Sequence, residues 1–123
     1  MTEPLYRIWD IEEQTFIPQD NYKWYVGMEG FVRNRDGFVS QAHFIIQRCT
    51  GEIVNDKYIY EGDIVEHYPN AASTIHAIVE FNYGNFEVRD LQGWETLTIE
   101  DIDKIIGNNL ENPELLLERD EDE

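Results

Sequence analysis

Short runs of alternating apolar and polar residues, separated by turn-forming residues, fill most of this 123-residue chain. Leu5, Tyr6, Ile8, Trp9 and Ile11 open a strand-like run, and "DIEEQ" turns the chain before Thr15, Phe16 and Ile17. A hairpin, or a strand and loop, is expected there. Pro18 stops the pairing or places it at an edge. Tyr22, Trp24 and Val26 then alternate with Lys23 and Tyr25, the pattern of a strand with one buried face. Gly27 and Gly30 punctuate a loop, and two short β runs flank Asp36 and Gly37, a strong hairpin signal. "HFIIQRCTG" is the most apolar run and reads as a core strand closing at Gly51.

The second half repeats the style. "GEIVNDKYIYEGDIVEHY" has the form strand, turn, strand. Asn55 and Asp56 suit the turn, because both side chains can bond their own backbone and both tolerate positive φ. Residues 69–74, "PNAAST", read as a loop. Val79, Phe81 and Tyr83 share a face, and Phe86 and Val88 return across Gly84 and Asn85 as a hairpin. Residues 91–94 make a further turn before "ETLT". "TIEDIDKIIGNN" admits two readings. One is a helix with Thr98 as N-cap and Asp101 three residues on; the other is a turn followed by a strand at Lys104–Asn108. In "ENPELLLE", Asn112 can cap and Pro113 stands at the first helical position, so one or two helical turns are expected, with Leu115, Leu116 and Leu117 docking on the sheet. Many strands at 8–12-residue spacing, with little helix, specify a mainly β domain. The expected form is a small, partly open, SH3-like barrel of antiparallel strands, with N-terminal hairpins and a short C-terminal helix. It spans residues 1–117, and the acidic residues 118–123 form a frayed tail.

Charge narrows the function classes. The net charge is -17, which repels nucleic acid and acidic lipid at long range. Residues 1–60 hold six of the nine Lys and Arg, and the rest of the chain holds only Arg89, Lys104 and Arg119. A lone Cys49 cannot form an internal disulfide, which points to a reduced intracellular setting. The opening residues have neither a basic start nor an apolar run, and no segment approaches the roughly 20 apolar residues of a membrane span. A cytoplasmic protein is expected.

Candidate chemistry is sparse. Glu61 and Asp63 flank Gly62 and form a carboxylate pair, but general acid–base catalysis needs two environments that split the pKa values. Around a glycine the simpler role is structural: Gly62 makes the bend and Asp63 accepts backbone amides. His43, Cys49, His67 and His76 stand at spacings of 6, 18 and 9, which match no metal-ligand motif. Ser40 and Ser73 lie in no nucleophile elbow. Arg48 beside Cys49 could lower the thiol's pKa, but a packed, inert thiol is expected. Gly27-Met28-Glu29-Gly30 lacks the length and the lysine of a phosphate loop, so no cofactor is expected. Arg33 and Arg35 near Phe31 and Phe38 are the one candidate single-strand platform, opposed by the overall charge. The same electrostatics supports the reverse idea, an acidic surface competing for a basic nucleic-acid-binding protein.

Three blocks together resemble the YopX family of phage and prophage proteins from low-GC Gram-positive bacteria. They are "YRIWD" (Tyr6, Arg7, Trp9, Asp10), "CTG" followed by "YIYEGDIV" (Thr50, Gly51, Tyr60, Glu61, Gly62, Asp63), and "IIGNNLENPELL" (Gly107, Asn108, Asn112, Pro113). They span residues 6–117 in the family's order. One stretch departs: "EIVNDKYI" is a residue shorter than the family pattern and lacks its turn glycine. The resemblance implies a β-rich fold with a small barrel and favours a strand at "KIIGN". It brings no established catalytic activity and no assigned functional residues, so the blocks are read as fold-specifying. The expected function is that of a non-catalytic accessory protein, acting by binding a host or phage macromolecule in the bacterial cytoplasm. The alternative is an anionic decoy that occupies a nucleic-acid-binding protein. A homo-oligomer through open strand edges is also compatible with the pattern. A binding patch around Trp24 or Trp94 would suit the first function, and a continuous carboxylate face the second.

Overall fold

A computed structural model describes residues 6–17, 24–26, 32–34, 43–93 and 95–116, of which 24–26 and 32–34 are described as backbone. The chain divides into two compact units, Met1–Arg48 and Cys49–Glu123.

In the first unit β1 (Tyr6–Asp10) pairs antiparallel with β2 (Thr15–Phe16), as the opening pattern requires. The Asp10 carboxylate ties the connecting turn by accepting the Glu12 and Glu13 amides at 3.0 and 3.1 Å. Ile8 and Phe44 are buried, with Ile17 and Ile46 packed against them. Trp9 is buried as well and meets Phe16 edge to face at 4.9 Å. β3 (Trp24–Val26) pairs with β4 (Val32–Asn34), and the loop expected at Gly27 and Gly30 lies outside the described residues. The turn expected at Asp36 and Gly37, and the return strand after it, lie outside the described residues.

β5 (Phe44–Val54) runs three residues beyond Gly51, where the pattern closed it. Its first part pairs with β1, and its later part pairs with β6 (Lys57–Tyr60). The register shifts between Cys49 and Ile53, where Gly51 sits at φ 87, so the glycine is a bulge inside a strand rather than its end.

In the second unit β7 (Asp63–Asn70), β8 (Ser73–Asn82), β9 (Asn85–Asp90), β10 (Thr96–Leu97) and β11 (Lys104–Asn108) form an antiparallel sheet in the order β10-β9-β8-β7-β11. β10 and β11 are consecutive in the chain yet occupy opposite edges. The buried cluster of Ile59, Val65, Ala77, Val79, Val88, Leu97 and Ile102 takes Leu97 from one edge strand, and Ile105 of the other packs against it. The sheet therefore curls into a half-barrel, in line with the expected small β barrel. Among the described residues no helix is long and apolar enough to cross a membrane.

The turns refine the pattern. Asn55 and Asp56 take φ 52 and 66, the left-handed pair of a tight hairpin, as their side chains predicted. Residues 69–74 are mostly strand: Asn70 pairs with Ser73, and the Asn70 carboxamide accepts the Ala72 amide at 2.9 Å across a two-residue turn. The next hairpin turns at Tyr83 and Gly84, one residue earlier than expected, with Asn82 opposite Asn85. Tyr83 therefore sits on the tip and not on the face of Val79 and Phe81.

Both readings of "TIEDIDKIIGNN" hold in part. Asp101 Oδ2 accepts the Thr98 amide at 2.9 Å and its hydroxyl at 3.2 Å, but the helix is a single 3₁₀ turn, Ile99–Asp101. It ends because Ile102 is extended, and the Asp103 amide bonds Glu66 C=O at 2.9 Å, which starts the β11 ladder. Among the described residues the C-terminal helix is likewise a 3₁₀ turn, residues 113–116. Asn112 does not cap it through its side chain: Asn112 Oδ1 instead accepts the Asn108 amide at 3.2 Å.

Candidate functional site

Two polar regions of the second unit compete for the role of site. The first contains the motif residues. Gly62, at φ 89, carries the bend that presents Asp63 to the chain just before it. Asp63, only 2% exposed, accepts the Tyr60 amide on Oδ2 at 2.8 Å. Gly62 itself is held on both sides: its amide bonds Val79 C=O at 2.7 Å and its carbonyl accepts the Asn109 amide at 2.8 Å. β11 lies alongside, with Gly107 opposite Ile64 and Asn108 opposite Asp63. Asn108 Oδ1 accepts the Leu110 and Glu111 amides at 3.0 and 2.8 Å, and its Nδ2 donates to Glu111 Oε1 at 2.8 Å. A Cβ at Gly107 would stand 2.5 Å from Asn112 Oδ1, so this glycine makes room for the Asn112–Asn108 bond.

Two motif blocks thus meet in one hydrogen-bonded knot. Thr50 and Gly51 join its margin through the Cys49–Tyr60 pair, and Thr50 Oγ1 accepts the Glu52 amide at 3.0 Å. Half-buried Glu61 sits in the bend beside Gly62, and exposed Pro113 opens the last turn. In the first unit half-buried Tyr6 and Arg7 lie on β1. Arg7 Nε donates to Gln47 Oε1 at 2.8 Å, and its guanidinium stands 4.6 Å from the Phe16 ring centre. No buried side-chain nitrogen or oxygen among the described residues lacks a partner.

The other candidates scatter. Cys49 is half-buried, and its Sγ accepts the Gly51 amide at 3.4 Å. His43 is exposed at the start of β5, and Ser73 is exposed at the start of β8. Among the described residues no group of three or more His, Cys, Asp and Glu could hold a metal ion. His67 and His76 join a surface network instead. His76 Nε2 lies 3.1 Å from Glu66 Oε2, and the Tyr68 hydroxyl donates to Glu66 Oε1 at 2.6 Å. The tyrosine hydrogen bond, helped by His76, holds the Glu66 carboxyl below its ordinary range against a smaller opposing effect of burial. The same bond raises Tyr68. His67 Nδ1 meets Asp101 C=O at 2.6 Å and Asp103 Oδ2 at 3.2 Å, tying β7 to the turn before β11. Arg35, Phe31, Phe38, Ser40 and Trp94 lie outside the described residues, as do the side chains of Trp24 and Arg33.

The second region is a groove of about 710 Å³ beside β9 and β10, within the size range of ligand sites. Phe86, Val88, Leu97 and Ile99 give it apolar surface. Glu52, Glu80, Glu87, Asp90, Glu95 and Glu100 give it six carboxylates, against the single cation Arg89, a surplus of five. Arg89 is already engaged: its Nε and Nη2 both donate to Glu80 Oε2, at 3.0 and 2.9 Å, which raises its pKa. Asp90 is engaged too, accepting the Gln92 and Glu95 amides at 2.9 Å each. Glu52, Glu87, Glu95 and Glu100 bond no cation among the described residues. The described lining contains no His, Cys or Ser. What it can do is hold positive charge on long alkyl stems.

Residue by residue, pattern reasoning did not single out these glutamates. The usable signal was the poverty of Lys and Arg after residue 60. A second signal needed the true turn: centring the hairpin on Tyr83 and Gly84 puts Glu80 directly opposite Glu87.

No family model matches the chain, and no curated protein matches it. Among solved structures, the X-ray crystal structure of protein YopX from Bacillus subtilis matches with a TM-score of 0.61 and 20% identity, covering 90% of this chain and 96% of that one. The fold is YopX-like. That likeness spans both units and agrees with the resemblance of the three sequence blocks. In the YopX-like fold of this chain the second and third blocks are side by side in the knot, while the groove draws on none of their residues except Thr50.

Proposed function

We propose that this chain is a non-catalytic accessory protein that binds a basic protein partner through the anionic groove beside β9 and β10. The supporting observation is the surplus of five carboxylates over one already-bonded arginine, in a concave surface with an apolar floor. Such a surface attracts a lysine- or arginine-rich segment at long range and then covers its alkyl stems. The phage or prophage origin and the bacterial cytoplasm as its setting rest on the three motif blocks.

A second reading makes the partner a nucleic-acid-binding protein and the groove a substitute for phosphate charge. The net charge of -17 favours it. Capture from bacterial lysate with the tagged protein, at low and high salt, tests the first reading. A basic partner should be held at low salt, released at high salt, and lost by the variant Glu87→Gln with Glu95→Gln. Equal capture by that variant overturns the groove as the binding surface. Displacement of the captured partner by added DNA separates the decoy reading from the simpler one.

A further inference from the structure

Arg89 is the one cation of the described groove lining, and it is held by half of a carboxylate. Its Nε and Nη2 both donate to Glu80 Oε2, at 3.0 and 2.9 Å, so Glu80 Oε1 receives nothing from it. A guanidinium presents a fork of N–H donors that matches both oxygens of a carboxylate, and that stronger pairing is not made here. The Arg89 side chain is 55% exposed and the Glu80 side chain 31%. An exposed pair of this kind is weak and breaks readily. Glu87 stands directly opposite Glu80, on the face of β9 that Arg89 shares. Among the described residues the Glu87 carboxylate is bonded by the Asn82 carboxamide alone, Nδ2 to Oε1 at 3.2 Å. Like charges directly opposed repel. A second guanidinium placed between Glu80 and Glu87 would meet two carboxylates where Arg89 meets one.

Resting on the groove as the binding surface, we propose that Arg89 is a built-in competitor for it. Arg89 holds Glu80 in the free protein and gives it up to an arginine of the basic partner, which then sits between Glu80 and Glu87. The exchange sets both the strength and the selectivity of binding. Every incoming cation displaces Arg89 before it gains Glu80, so affinity lies below what the carboxylates alone would give. A lone ammonium replaces the bond it breaks with one no better, whereas an arginine gains Glu87 as well through the second arm of its fork. The partner therefore presents arginine at this point of contact. Once released, Arg89 remains in the field of the other groove carboxylates, which limits the cost of the exchange. It stays two residues along the strand from Glu87, in place to close on Glu80 again when the partner leaves.

The test titrates blocked hexa-arginine into the full chain by calorimetry, in about 0.1 M salt, where charges more than about 10 Å apart are largely screened. Two variants each remove one exposed cation. Arg89→Gln deletes the competitor, and Lys104→Gln, on β11 three strands across the sheet from β9 and outside the groove lining, controls for net charge. Arg89→Gln should bind the peptide about fivefold more tightly than the parent, the scale of one exposed ion pair, and Lys104→Gln less than about twofold more tightly. In the parent, NMR should show the Arg89 Nε–H exchanging faster with water once the peptide is bound, the mark of a bond given up. A gain for Arg89→Gln no larger than that for Lys104→Gln, or an Arg89 Nε–H unmoved by bound peptide, overturns the competitor. Loss of the peptide from the variant Glu87→Gln with Glu95→Gln would then still uphold the groove. Failure of both the parent and Arg89→Gln to bind overturns both.

Discussion

The knot around Gly62 and the groove beside β9 lie on one half-barrel and are built from the same side-chain chemistry, yet they treat it in opposite ways. In the knot, Asp63 and Asn108 are buried; nearby amides donate to their side-chain oxygens, and Asn108 Nδ2 donates to the Glu111 carboxylate. In the groove, four glutamates face outward with no cation bonded to them among the described residues. Buried polar groups are costly unless satisfied, so each tightly dictates its neighbours and leaves a dense local motif. Exposed like charges act through a summed field that many arrangements can produce. Conspicuous residues here mark what holds the fold, and inconspicuous ones line the groove proposed to meet a partner.

That contrast can be broken at either end. The largest effect is expected from Asp63→Ala, which strands the buried Tyr60 amide and should cost about 2–3 kcal/mol in urea unfolding. Asp63→Asn, which keeps an acceptor, should recover a good part of that loss. Gly107→Ala forces the Asn112 carboxamide off the Asn108 amide and should cost about 1–2 kcal/mol. Both variants, once folded, should capture the basic partner as the parent does. Reduced affinity in the folded fraction would show that knot and groove are not separate. Glu87→Gln should do the reverse. It relieves the repulsion between directly opposed Glu80 and Glu87, should leave stability within about 0.5 kcal/mol of the parent, and should weaken capture of the basic partner severalfold.

The smallest effect is one of pH. Glu66 has its pKa lowered in the fold, so its contribution is present above the unfolded value near 4.5 and is lost as pH falls through the lower folded value. Tyr68 is raised, so its half of the bond persists through the ordinary tyrosine range and is lost as pH rises through the higher folded value. Glu66→Gln should therefore flatten the acid limb of the stability curve slightly, while the groove variant Glu87→Gln leaves the Glu66–Tyr68 bond in place. Thermal melting across acidic buffers measures the difference.

Much of the architecture was legible in the chain because a half-barrel must alternate. Ile64 and Val65 entering a strand after the Gly62 bend, and the Asn55 and Asp56 turn, followed from local physics. Errors arose where a side chain had two possible uses. Asn112 has the chemistry of a cap, but the close approach allowed by Gly107 gives its oxygen to Asn108, a decision made by residues packed across the turn. Residues 69–74 looked like a loop because they are small and polar, yet a two-residue turn lets cross-strand pairing continue through them. Gly51 reads as a strand end in one dimension and is a bulge in three. The groove was the least legible part. Its residues come from β5, β8, β9, β10 and the segments on either side of β10, and they converge only once the sheet curls.

The tip of the β8–β9 hairpin carries a practical consequence. Tyr83 is a bulky residue held at φ 54 with its ring fully in water, so nothing in the described structure depends on its side chain. Short exposed turns of this kind accept foreign sequence readily. An epitope, a spectroscopic label or a tether placed between Tyr83 and Gly84 would project from the end of the strand that borders the groove, turning the hairpin into a built-in pointer to whatever docks beside it.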